Sequence, residues 1–526
     1  MTNDIKNKEN KLSELENKPS RRTLLKALAG LPFLGAFSYE LLKKNSYEKA
    51  KRSKLINELF LDDIKTPNSI SEVEKGDLLR IGIIGFGNRA VALANGLGYM
   101  HPDDMEARRK EGSLDEWLSQ ESLNVVITGI CDVFDLHAEN GLATARNEVR
   151  AGGVKSSGIP VKRYSRYQEM LEDDSIDAVV IATPDHHHAQ MTIDAIKAGK
   201  HVYCEKSVAH TEEELEKLYG VVKNSKMVYQ LGHQITQNVV FQQAKEIIKK
   251  DILGKITLIE TTTNRNTAKG AWIRNLDKNG NPKPGDEKSI DWQQWLGNSP
   301  QVPFSLDRYY NWTKWFAYDL GVIGQLFTHE FDAVNQLLNI GIPHSVVSSG
   351  GIYYWKDNRE IPDLLHCVFE YPDRNLTLIY SADLANSRQR GRVFMGNDAS
   401  MELGGSLKIT VDGDSKKYKK MISDGTIDPS SPMILIHPDS DKVDAISSPT
   451  EKYYASRGLT TTNINGHDVD VTYLHIREWI NCIRNGNIPS CNIDRAYVEG
   501  ITCLMAQKAY IEKRRVTWDP VHKKIV

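Results

Sequence analysis

Apolar residues fall into two patterns along this chain, and the pattern changes near residue 240. Before that point, short runs of buried-strand type alternate with helical spacings. The first run is Ile81, Ile83 and Ile84 within RIGIIGFGNRA, Arg80–Ala90, and VALANGL follows at helical spacing. Further runs stand at Val125–Cys131, Ala178–Ala182, His201–Cys204 and 227–231. Helical patterns separate them at about 136–150, 165–172, after 188 and at about 211–224. Strands apolar on both faces, in turn with helices, predict a doubly wound parallel sheet. A polar stretch at 100–122 interrupts the alternation and reads as a helical insertion on the sheet rim.

Past residue 240 the runs are rich in β-branched residues. Lys255–Thr263, Val346–Trp355, Leu364–Tyr371, Leu376–Ala382, Arg392–Met395 and Ser406–Val411 predict strands of a mainly antiparallel sheet. The tail reads as helices at about 471–485 and 494–513. The expected organisation is a leader at 1–44, a linker at 45–78 and a nucleotide-binding α/β domain at 79–208. A second α/β domain at 209–526 carries a large open, mainly antiparallel sheet, and its last helices return toward the first domain.

Composition narrows the function classes. The 526 residues, 40% apolar and 26% charged, suffice for two or three ordinary cores. A formal net charge of −2 gives no field for a polyanion, which argues against nucleic acid as a partner. The six cysteines form no C-x-x-C pair and read as buried thiols, with a Cys482–Cys491 disulfide as the alternative. Near the N-terminus, Ser20-Arg21-Arg22-Thr23-Leu24-Leu25-Lys26 precedes ALAGLPFLGAF. Paired arginines in serine context before a short, weakly apolar run predict twin-arginine export, hence a periplasmic or exported protein. The run is short for a membrane span, and no A-x-A cleavage site follows, so an uncleaved anchor is open.

The candidate chemistry clusters at the predicted strand ends, where open α/β sheets bind ligands. Gly85 allows the tight turn out of the first strand. Gly87 has no side chain to hold a pyrophosphate away, and Ala90 lets helix and strand pack closely. Asp132 ends the second strand, where an acid bonds the adenine ribose and favours NAD over NADP. Its distance from the glycines exceeds the usual ~20 residues, and the insertion accounts for the excess. A helix N-cap is the other reading of Asp132. Thr183-Pro184 and Glu205-Lys206 close two more strands. His186, His187 and His188 are adjacent and diverge, so no metal is expected, and His188 reads as lining the cofactor pocket. The segments around Trp272 and Arg274, at 291–297 and at 307–332 are rich in aromatic and basic side chains. Such loops suit carbohydrate, although each aromatic taken singly is better explained as core.

Taken together, IGIIGFGNRA, Asp132, ATPDHHHAQ, GKHVYCEKS, DWQQWLG and GVIGQLFTHEFD resemble the Gfo/Idh/MocA oxidoreductases over roughly 79–515. The resemblance implies an N-terminal Rossmann domain binding NAD and a C-terminal α/β domain whose sheet often mediates oligomers, here a dimer or tetramer. It assigns the pyrophosphate to Gly85, Phe86, Gly87, Asn88 and Arg89, and the adenosine ribose to Asp132. Thr183, Pro184 and His188 would flank the nicotinamide, and Glu205 would bind its ribose. Lys206 would reach the reacting hydroxyl and His329 would be the acid/base. Candidate substrate residues are Gln234, Arg265, Trp272, Tyr310, Trp312, Asp319 and Gln325.

Two positions depart from the family pattern. Ser207 replaces a common Pro, a change expected to be mild. Gln325 stands where many members carry an Asp that forms a dyad with the His; an amide fixes a tautomer but cannot stabilise an imidazolium by charge. Lys206, Glu330 or Asp319 would then compensate. A branch resembling NAD-dependent α-N-acetylgalactosaminidases also has an amide there and a following His-Glu, although Phe327 stands where it has glycine. The expectation is therefore an exported NAD-dependent oxidoreductase of a sugar, glycoside or polyol, often at C3. The alternatives are a redox-neutral glycosidase on the same first step and a non-catalytic sugar- or nucleotide-binding homologue.

Overall fold

Residues 53–55, 57–59, 74, 76–147, 159–267, 285–436, 461–464 and 467–526 are described by the computed structural model. Packing divides the chain into two units, Met1–Ile64 and Lys65–Val526. In the first, the described residues are a helical fragment in which Lys54 and Glu58 lie 3.8 Å apart. The twin-arginine leader and Trp272 lie outside the described residues.

The second unit opens with β1 (Leu79–Ile84), α1 (Asn88–Leu97), α2 (Pro102–Glu111), α3 (Leu114–Leu118), β2 (Val125–Cys131), α4 (Asp135–Ala145) and β3 (Lys162–Tyr164). It continues with α5 (Tyr167–Leu171), β4 (Ala178–Ile181), α6 (His188–Lys197), β5 (His201–Cys204), α7 (Glu212–Lys223) and β6 (Tyr229–Leu231). The six strands form one parallel sheet in the order β3-β2-β1-β4-β5-β6. The order reverses between β1 and β4, which opens a crevice at their carboxyl ends. The β-branched and apolar runs of β2 and β4 are buried throughout, as a sheet covered on both faces requires. The parallel sheet does not stop at residue 208: β6 pairs with β5 and extends it past that expected boundary. The polar insertion folds as α2 and α3, with Leu114 and Trp117 packed on Met100.

The second half adds α8 (Val239–Lys249), β7 (Ile256–Thr262), β8 (Arg265–Asn266), α9 (Trp292–Leu296), α10 (Leu306–Tyr310), α11 (Thr328–Leu338) and β9 (Ser345–Gly351). Then come β10 (Leu364–Tyr371), β11 (Leu376–Asp383), β12 (Ala385–Asn386), β13 (Arg392–Gly396), β14 (Ala399–Leu403), β15 (Leu407–Val411), α12 (Lys419–Ser423) and β16 (Ile434–Ile436). The chain closes with β17 (Thr461–Ile464), β18 (His467–Asp470), α13 (Val471–Asn485), α14 (Ile493–Glu512), β19 (Val516–Asp519) and β20 (Lys524–Ile525). Ten of these strands make one sheet, β16-β15-β14-β13-β7-β11-β10-β9-β19-β20. It is antiparallel except where β11 runs parallel to β7.

The tail completes the first core. Tyr473, Ile476, Trp479 and Ile480 of α13 are buried with Ile81, Leu93 and Tyr203 in one cluster. The approach is close: a Cβ on Gly96 of α1 would sit 2.7 Å from Ile476 Cδ1. α14 lies between β9 and α7, where a Cβ on Gly500 would meet Leu215 at 2.6 Å. All six cysteines are buried and free, so the Cys482–Cys491 pairing does not form. Among the described residues no helix is long and apolar enough to cross a membrane.

Candidate active site

Five strand ends converge on the crevice. At β1, Gly85 takes φ +81°, and a Cβ there would strike Thr183 Cγ2 at 2.9 Å. Only glycine accommodates both that conformation and that approach. A Cβ on Gly87 would meet no atom within 4 Å. Gly87 is the N-cap of α1, no side chain caps the helix, and its first turn holds no acid. The helix N-terminus therefore offers its N–H groups to an open space, which is what a pyrophosphate requires.

Asp132 is buried against this turn. Its carboxylate accepts Phe86 N–H at 2.5 Å and Phe134 N–H at 2.8 Å, with His137 Nδ1 3.7 Å away. Beyond it, at the ends of β2 and β3, lies a cavity of about 640 Å³ lined by Asp132, Asp135, Arg163, Ser165, residues 287–294 and 302–304. The segment before α9 closes this end, bonding Asp291 N to Val133 O and Asp135 N to Ser289 O.

Across the switch point, Arg89 Nε meets Glu205 Oε1 at 2.6 Å. Burial alone would raise the Glu205 carboxyl; Arg89 and then Lys206 overcome this and hold it below the usual range. The two side chains expected to hold different parts of a dinucleotide are thus paired with each other. His188 presents Nδ1 to Ser207 O at 2.7 Å and Nε2 to Thr183 O at 2.9 Å. It fastens the turn after β4 to the turn after β5 and offers neither nitrogen to a pocket. His186 and His187 both direct Nε2 at Trp295 O. The Lys206–Ser207 peptide is cis.

Lys206 Nζ donates to Gln325 Oε1 at 3.1 Å, and Gln325 Nε2 donates to Asp185 Oδ2 and Asp319 Oδ1, each at 2.9 Å. Burial first, then the neighbouring Asp185, pushes the Asp319 carboxyl well above its usual range. Gln325 lies in a π-helical turn, Ile323–Phe327, which leads into α11 and its His329. Such turns are rare and recur at functional sites. Burial, then His233 and the charges of Lys206, Arg89 and Arg265, hold the His329 imidazole well below its usual value. Its Nδ1 faces His233 Nδ1 at 3.1 Å.

The remaining candidates separate. Arg265 and Gln234 are buried, and Gln234 Oε1 has no partner among the described residues. Tyr310 and Trp312 belong to a buried aromatic cluster with Phe134, Trp292, Trp295 and Tyr309, where Trp292 and Trp295 stack at 4.5 Å. They fill core and turn no open face to a sugar. Glu330 cannot stand in for the missing Asp, because it is paired with Arg392 at 2.9 Å and both side chains are fully buried. Sequence reasoning missed Asp185 and His233. Both follow strand ends and could have been found by that rule.

Comparison with known proteins agrees with this geometry. Residues 79–233 match the family described as oxidoreductase family, NAD-binding Rossmann fold. Over this stretch the chain is similar to the Gfo/Idh/MocA oxidoreductases. A levoglucosan dehydrogenase of Pseudarthrobacter phenanthrenivorans is 30% identical over 210 residues, 40% of this chain and 47% of that protein. A glycosyl hydrolase family 109 protein of Shewanella is 34% identical over 143 residues, 27% of this chain and 26% of that protein. The chain thus spans less than half the length of these curated relatives. A levoglucosan dehydrogenase structure in complex with NADH and levoglucosan covers 84% of this chain and 99% of its own, at TM-score 0.54 and 17% identity. That likeness is one of fold, a Rossmann-type parallel sheet followed by a large mixed sheet.

Proposed function

We propose that this protein is an NAD-dependent oxidoreductase acting on a hydroxyl of a sugar, glycoside or polyol. The observation that carries the reading is the convergence of Lys206, from the end of β5, with the helix turn bearing Gln325 and His329. The turn at Gly85–Arg89 with α1 would hold the pyrophosphate, and Asp132 with the adjoining cavity would take the adenosine. Glu205 would serve the nicotinamide ribose. Bound NAD would supply the acceptor for hydride from the substrate carbon. Lys206, donating to the substrate oxygen, would stabilise the developing alkoxide. His329, kept neutral by its surroundings, would accept the hydroxyl proton.

A second reading rests on Gln325. An amide in place of the usual Asp, together with the match to a family 109 glycosyl hydrolase, favours transient oxidation that labilises a neighbouring C–H, expels the glycosidic substituent and ends without net redox. We also read residues 20–37 as a twin-arginine signal, and the ten-stranded sheet as a surface for a second copy of the chain. The test uses levoglucosan and a nitrophenyl α-N-acetylgalactosaminide with NAD. Stoichiometric NADH supports the first reading; nitrophenol release without net NADH supports the second. Lys206→Ala should abolish either turnover while NAD still binds by calorimetry, and undiminished activity in that variant would overturn both.

A further inference from the structure

The three adjacent histidines and the DWQQWLG stretch meet across one end of the crevice. Asp291 N donates to Val133 O at 2.8 Å and Asp135 N donates to Ser289 O at 2.9 Å, which ties residues 289–291 to the turn after β2. Gln294 Nε2 donates to Ser165 O, just after β3, at 3.1 Å. Trp295 O accepts from His186 Nε2 at 2.9 Å and from His187 Nε2 at 2.8 Å, in the turn after β4. Residues 286–304, from the second half of the chain, are thus a strap fastened to the ends of β2, β3 and β4.

The fastening is specific. A carbonyl oxygen only accepts, so both imidazoles carry hydrogen on Nε2. Burial lowers both, His187 to about 4, so each is a neutral donor at neutral pH. A Cβ on Gly297 would lie 2.8 Å from His187 Cε1, so the strap passes as close to the turn as bare backbone allows. The strap is also ordered from within. Asp286 Oδ1 accepts the N–H groups of Lys288 and Ser289 at 3.1 and 2.9 Å. Asp291 caps α9 by accepting from Gln294 N at 3.0 Å, and Trp292 Nε1 donates to Val302 O at 2.8 Å.

Between this strap and the strand ends lies the cavity of about 640 Å³. That size falls within the ~300–1,000 Å³ of pockets that bury most of a small ligand. Its two walls differ in chemistry. The strand ends bring Asp132, Asp135, Arg163 and Ser165. The strap brings both aromatic rings of the lining, Trp292 and Phe304, with Val302 beside them. Trp292 is already stacked on Trp295 and meets Phe304 edge to face at 5.4 Å. Phe304 and Val302 are only half-buried, so part of each stays open to an occupant. A nucleoside is complementary to such a pair of walls: its hydroxyls need polar partners, and its base needs a ring to stack on.

We propose that the strap is the outer wall of the adenosine site, with Phe304 and Val302 against the base, so that NAD is gripped by both halves of the chain. The proposal rests on the reading of this cavity as the adenosine end of the NAD site. The three histidines then share one task. His186 and His187 latch the strap, and His188 joins the turn they stand on to the turn carrying Lys206.

Calorimetry on the full-length protein with NAD and with AMP tests this. Phe304→Ala should weaken both ligands about tenfold, within the effect of a lost base–aromatic stack. Stopped-flow displacement should show the loss as faster release. Phe304→Tyr, which keeps the ring, should bind both as wild type does. The circular dichroism spectrum should be the same for all three proteins. Undiminished affinity in Phe304→Ala would overturn the strap's role while leaving the NAD reading in place. Equal weakening in Phe304→Ala and Phe304→Tyr would also overturn it, because the ring would then not be what holds the base. If wild type bound neither ligand, the NAD reading would fall and the proposal with it.

Discussion

At the scale of single residues, the site is a set of charges taken out of water and assigned partners. Glu205 is the clearest case, since it is buried and leans on Arg89. Its folded-state carboxyl titrates below the ordinary value. The pairing therefore adds stability above the ordinary carboxylate pKa, and that contribution is lost as pH falls through the lower folded value. Urea midpoints measured downward from neutral pH should fall more steeply for wild type than for Glu205→Gln; parallel curves would contradict the assignment. Gln325 shows the opposite solution. An Asp there would put a third carboxyl beside Asp185 and Asp319, whereas the amide donates to both and accepts from Lys206.

At the scale of elements, what could be read in the sequence was whatever lies contiguous in it. The turn at 85–87, the acid ending β2 and the Glu-Lys ending β5 are local signatures, because each strand end carries its own chemistry and the fold brings the ends together. The partners of His329 were not legible. His233 is 96 positions away, so no spacing connects it to His329. The aromatics of 291–318 were ambiguous for another reason: a stacked Trp pair in a core and a Trp facing a sugar have the same local sequence. β14 was passed over because a strand of five residues with polar alternate positions resembles the turns around it. The two glycines of the first turn separate fold from binding. Gly87→Val should raise the Kd for NAD about tenfold or more with an unchanged Tm, since its side chain enters open space. Gly85→Ala should instead cost about 1–2 kcal/mol of stability, the penalty of a left-handed alanine, before any clash with Thr183 is counted. Calorimetry and thermal unfolding of both variants check the contrast.

At the scale of the molecule, the two sheets are joined by helices from the tail. α13 completes the core beneath the parallel sheet, and α14 spans from α7 to β9. Trp479 is fully buried in that first core. Trp479→Ala should cost about 3–5 kcal/mol, and it should do so in a single unfolding transition followed by both fluorescence and circular dichroism. Two separated transitions would show that the sheets unfold independently.

The position of α13 has a further consequence for the order in which the protein becomes functional. The cofactor cradle is encoded early, at residues 85–89, yet the floor beneath it includes side chains from 473 to 480. A chain emerging from the ribosome carries the glycine turn long before it has the helix that seals the sheet behind it. The cradle is translated first and finished last.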